Sequence, residues 1–174
     1  MTSGIRPSVD CIAKFEELKK KIYSFIILGF DDKFKEIKVK HAEPRGQNNS
    51  KWDELVKQLQ TNLYPYAIVD IELSKDGKRN GILLIKWVEE KSNVKVRMLT
   101  STSFQTLQTQ LKIAHWMHAY SKEELNLADI IKKQFKSALE LSQIQKLPNN
   151  NLKIPTKIPT IPPFKKITTQ GVQK

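Results

Sequence analysis

A chain of 174 residues with 30 Lys and Arg against 18 Asp and Glu carries a net charge of +12, so acidic partners are expected: nucleic acid, anionic lipid or an acidic protein surface. The single Cys11 excludes an internal disulfide framework and fits a reducing compartment. No apolar run approaches the ~20 residues of a membrane-spanning helix, and MTSGIRPSVD lacks the apolar core of a signal peptide, so a soluble intracellular protein is expected.

Val9, Ile12, Phe15, Leu18 and Ile22 recur at helical spacing and predict a first helix. The continuous apolar run SFIILGF (24–30) suits a strand buried on both faces. Asp31-Asp32-Lys33 reads as a turn, KEIKVK as an alternating strand, and EPRGQNNS as a loop. WDELVKQLQ predicts a short helix with Ser50 or Asp53 near its cap. YAIVDIEL and ILLIKW read as paired strands around a turn at Asp76-Gly77.

VKVRMLTSTSFQTLQTQL (94–111) predicts a helix capped by Ser92 or Asn93, although its β-branched content requires packing to hold it. HWMHAY reads as a short strand. Leu127, Ile131, Phe135, Ala138 and Ser142 predict one last helix running past residue 140. Four or five strands interleaved with helices give a mixed sheet covered by helices, an α/β (α+β) class.

After Glu140 there is no acidic residue, while six lysines and five of the eight prolines follow. The expected organisation is a domain over residues 1–141 and a basic, proline-containing, disordered tail over 142–174. Pro159 and Pro162 form a PxxP spacing, the minimal signature of an SH3-type partner, though a basic spacer is the plainer reading.

The residue types for catalysis are thin. His115 and His118 with Cys11 lack a third ligand at useful spacing for a metal. There is no phosphate-binding glycine loop, nucleophile elbow or HExxH, and the three Trp residues are not interleaved with cations as in a single-strand stacking platform. A non-enzymatic binding protein without a cofactor is expected.

Several segments in order carry a resemblance: SGI at Ser3-Gly4-Ile5, CIAKFEELKKKIYSFIILGF, WDEL, YAIVDIEL, GKR, and Trp87 followed eleven residues later by Met98 in WVEEKSNVKVRM. From Ser3 to about Phe135 the chain resembles the actin-depolymerising factor/cofilin family. The resemblance implies a central mixed sheet of five to six strands sandwiched by helices. It also implies a cytoplasmic, cytoskeletal monomer that binds actin monomers and filaments and promotes filament depolymerisation. In the family the helix beginning near VKVRM enters an apolar cleft of actin, which implies contact roles for Lys95, Arg97 and Met98 and for Ser3, Gly4 and Ile5. Ser3 is further implied as an inhibitory phosphorylation site. The second, filament-facing patch maps onto Arg79, Lys132, Lys133 and Lys136.

Departures are also present. Thr100 and Phe104 replace the family's Tyr and Lys, Val88-Glu89 its Pro-Asp, and Gly81 stands where a second filament-facing cation is common. With one cation missing on that strand face, weakened severing is expected, to be restored by Gly81→Lys. The rival readings are a basic phosphoinositide- or nucleic-acid-binding protein on the same scaffold, and a relative that binds an actin-nucleating complex.

Overall fold

The computed structural model of the chain describes residues 4–46, 51–74 and 79–137. The elements follow as β1 (Arg6–Pro7), α1 (Val9–Lys19), β2 (Tyr23–Phe30), β3 (Glu36–Pro44), α2 (Lys51–Asn62), β4 (Tyr66–Glu72), β5 (Asn80–Trp87), α3 (Val94–Leu111), β6 (His115–Ala119), a 3-10 turn (Lys122–Leu125) and α4 (Leu127–Gln134). The six strands form one mixed sheet in the order β1-β3-β2-β4-β5-β6, with β1 and β6 parallel to their neighbours and the other pairs antiparallel.

The side-chain alternation of a strand divides the core into two layers. Ile26, Leu28, Tyr66, Ile68 and Leu84 turn to one face, where Cys11, Phe15 and Leu18 of α1 and Phe104, Leu107 and Leu111 of α3 cover them. Phe25, Ile27, Val69, Leu83, Ile85 and Trp87 turn to the other, under Leu55 and Leu59 of α2 and Ile130 of α4. β2 therefore has no solvent face, the physical origin of its unbroken apolar run.

Local chemistry sets the ends of the elements. The Cys11 N–H donates to Ser8 Oγ (3.2 Å) at the start of α1, and the Lys95 N–H to Asn93 Oδ1 (2.8 Å) at the start of α3. Asp31 accepts from the Lys35 and Glu36 N–H groups (2.6 and 2.9 Å) and closes the β2–β3 turn.

Three expectations change. β3 continues through Pro44 into the expected loop, because the backbone of Tyr23 to Phe30 pairs with it along that length. The two-residue β1 carries no periodicity to read. The last helix is interrupted at Phe135, which leaves helical geometry (φ −121°, ψ 27°) and buries its ring in the second core layer; helical geometry resumes at Lys136 and Ser137, and the expected continuation past them lies outside the described residues. The expected turn at Asp76-Gly77, the Ser50 cap and the whole tail with its PxxP spacing lie outside the described residues. No described helix is long and apolar enough to cross a membrane.

Candidate functional site

The first half of α3 has two unlike faces. Inward, Thr100, Ser103 and Phe104 are buried and Val96 and Leu99 pack against the first core layer. Outward, Val94, Arg97, Met98, Ser101 and Thr102 line a shallow depression. Positions three and four apart stack on one helix face, so this surface follows from the sequence spacing. Val94 is 60% and Met98 66% exposed, an unusual cost for apolar side chains this close to a well-packed core. The Lys95 ammonium stands 4.6 Å above the ring of Phe34, which the β2–β3 turn presents, so this cation is held beside the depression.

The hydroxyls that break the amphipathic pattern have structural tasks. Thr100 Oγ1 donates to the Val96 carbonyl (2.6 Å), Ser103 Oγ to that of Leu99 (2.5 Å) and Thr102 Oγ1 to that of Met98 (3.1 Å). These are bonds back to the preceding turn, the kind that bends helices. From the sheet, the Tyr66 hydroxyl donates to the Thr100 carbonyl (2.6 Å) and lies 2.8 Å from Ser103 Oγ. Burial raises the Tyr66 phenol far above its ordinary range, so it stays protonated and able to donate. α3 is thus pinned to β4 one turn beyond Met98.

On the N-terminal side, β1 packs beside α3. Gly4 is exposed at φ +69°, with open space where a Cβ would stand. Ile5, expected to contact a partner, is instead a core residue at 3% exposure. Ser3 lies outside the described residues.

Lys132 and Lys133 are exposed on the last turn of α4, and Lys136 is exposed just beyond its end. Phe135, between them, meets Gly81: a Cβ built on Gly81 would stand 2.2 Å from the Phe135 ring. Residue 81 therefore faces the core and not a partner, and the expectation that Gly81→Lys restores a filament-facing cation is corrected. The contact docks the end of α4 two residues from Arg79, so the sheet and helix parts of the expected second patch share one end of the molecule. Lys133 instead lines a groove beside β6.

His115 and His118 occupy opposite faces of β6, the first against Phe135 (4.5 Å between rings) and the second against Phe104 (5.0 Å), so they do not converge on one ligand. Among the described residues no three His, Cys, Asp or Glu side chains are grouped to hold a metal. Lys86 was not anticipated as a special residue. It is 6% exposed, with its ammonium 5.7 Å from the Phe104 ring centroid, and burial lowers its pKa. A lone cation in an apolar strand was its only signal.

The family model for cofilin/tropomyosin-type actin-binding protein matches residues 4–134. The chain belongs to this cofilin family. Its cofilin-type relatives include actin-depolymerizing factor 3 of Zea mays, 32% identical across 74% of this chain and 93% of that one. Cofilin of Mycosarcoma maydis is 34% identical across 64% of this chain and 79% of its own. Among solved cofilin-fold structures, Plasmodium berghei actin depolymerization factor 2 superposes with a TM-score of 0.63 at 26% identity, covering 76% of this chain and 99% of that one. The expected mixed sheet sandwiched by helices is the cofilin fold observed here.

Proposed function

We propose that the chain binds actin through the outer face of α3 and promotes filament depolymerisation by stabilising the monomer. The observation that carries this is the pair of exposed apolar side chains, Val94 and Met98, on a helix whose opposite face is locked to the sheet. A flexible thioether fills an apolar cleft well, while Lys95 and Arg97 steer towards an acidic rim. Binding of this kind shifts polymerisation by mass action, so the mechanism needs no bond chemistry and no cofactor.

Three further roles belong to this reading. A phosphate on Ser3, of about −1.5 to −2 charge, competes with the acidic partner surface for Lys95 and Arg97 or repels that surface. Arg79, Lys132, Lys133 and Lys136 serve the filament, whose side is a second and separate surface. The molecule acts as a monomer in the cytoskeleton.

The test is Lys95→Ala combined with Arg97→Ala, with monomeric actin affinity measured beside the urea midpoint. Losing charge pairs at an interface commonly costs ~2–5 kcal/mol, whereas exposed changes move stability by about 0.5 kcal/mol or less. Weakened binding with an unchanged midpoint is expected. Unchanged affinity would remove the α3 face from the mechanism.

A further inference from the structure

Lys86 and His118 are register partners on β5 and β6, so their side chains share the sheet face that α3 covers. Both meet the Phe104 ring: the Lys86 ammonium stands 5.7 Å from its centroid, and the His118 ring meets it edge-on at 5.0 Å. Trp116 completes the cluster, with its ring 5.6 Å from that of Phe104 and 5.1 Å from that of His118. Lys86 is 6% exposed, yet among the described residues its ammonium has no ion pair and no hydrogen bond. His118 Nε2 is also buried without a hydrogen-bond partner.

The surrounding groups do not supply the acceptors. Tyr66, the register partner of Lys86 on β4, already uses its hydroxyl on the Thr100 carbonyl and on Ser103. Thr100 and Ser103 direct their own hydroxyls to carbonyls of α3. Glu124, Asp129 and Lys133 line the groove along β6, but none of them bonds to either group; Glu124 accepts from the Tyr120 N–H (2.6 Å) instead. A buried cation without a counter-charge and a buried ring nitrogen without a partner each carry a desolvation penalty, and here the two stand side by side.

We propose that Lys86 and His118 together hold one carboxylate, whose apolar stem lies against Phe104 and Trp116. Charge and donor count select this class. A carboxylate brings a single negative charge to match one ammonium, and two oxygens to accept from the ammonium and from the Nε2–H tautomer of His118. A phosphate, at about −1.5 to −2, would leave negative charge uncompensated in a buried place. The approach is from the edge of the sheet, where β6 is the last strand and Trp116 is 41% exposed. The carboxylate has two sources: a free small acid, or an Asp or Glu side chain of the partner that α3 receives. Only the second rests on the function proposed above.

Propionate is the probe. Added to the full chain at constant ionic strength, with chloride as the balancing salt, it should raise the His118 pKa, read by NMR of the assigned imidazole, by about one pH unit. It should also raise the urea midpoint of the wild type and leave that of Lys86→Met unmoved. Lys86→Met removes a buried charge without emptying the space, so it should fold and be no less stable than the wild type in chloride. No response to propionate, or an equal response in both chains, would overturn the proposal and leave the pair to ordered water. Monomeric actin affinity then separates the sources. A loss of about tenfold or more in Lys86→Met assigns the carboxylate to the partner, whereas an unchanged affinity assigns it to a free acid. A wild type that does not bind actin would sink the function proposed above and leave the propionate result standing.

Discussion

At position 81 the absence of a side chain makes room for another residue. The Phe135 ring occupies the volume a Cβ would need, and the ring is the last core contact before the described chain ends. Gly81→Ala should therefore cost ~1–3 kcal/mol through overpacking, read as a lower urea midpoint with an unchanged slope. Gly81→Lys should be worse still and gain nothing in filament severing. Tyr66→Phe removes the donor to the Thr100 carbonyl and a partner of Ser103; an expected loss of ~1–3 kcal/mol appears in the same denaturation assay. Lys86 and His118 lie side by side on β5 and β6, and both have pKa values lowered, Lys86 by burial and His118 by burial and then by Lys86. For His118 the unfolded state, near 6.5, binds the proton more readily than the folded one. Its contribution is complete above pH 6.5 and is lost as pH falls towards the depressed folded value. Urea midpoints should drop between pH 7.5 and 5.5, and His118→Gln should flatten that drop.

The helix α3 shows how an element can be legible while its logic is not. Its boundaries follow from Asn93 and from the apolar spacing of Phe104, Leu107 and Leu111. Its buried turn does not, because Thr100 and Ser103 occupy inward positions where an apolar residue is the usual signal. Those hydroxyls satisfy themselves on carbonyls of their own helix, and that of Ser103 also on Tyr66, a partner 37 residues away in sequence. The strand β2 was legible for the opposite reason, since burial on both faces leaves an unbroken apolar run. At α4 the spacing Leu127, Ile131 and Phe135 is helical, but Phe135 packs on Gly81 and leaves helical geometry for one residue before it resumes at Lys136. Ile5 has a partner-contact role by resemblance alone, because it and the two residues of β1 after it are too short a stretch to show a period that marks a core position. Within α3, Met98→Ala should weaken monomer binding while leaving the urea midpoint within ~0.5 kcal/mol, because its side chain supports no core contact. A comparable loss of stability would show that Met98 serves the fold.

For the whole molecule, two core layers share a single sheet, so neither layer has a hydrophobic partner without the other. One cooperative unfolding transition is expected, with fluorescence and circular dichroism coinciding. The net charge of +12 acts at longer range. Steering towards an acidic filament should weaken as salt rises from 0.05 to 0.5 M (a range over which the Debye length falls from roughly 14 to 4 Å), while the apolar seat of Met98 should persist. Cosedimentation with filaments across that range should show a steep initial decline and a salt-resistant remainder. A binding curve indifferent to salt would mean that the excess lysines do not face the partner.

Cys11, on the inner face of α1, has 0% exposure, and burial, with a smaller contribution from Asp10, pushes its thiol up to about 12. A protonated sulfur sealed against the sheet is chemically silent, since the thiolate is the nucleophile. Because it is the chain's lone thiol, an alkylating reagent added to the native protein can react only when α1 lifts away. Modification becomes a clock for that event. A labelling rate equal to global unfolding would mean that α1 never leaves alone; a faster rate would time its separate departure.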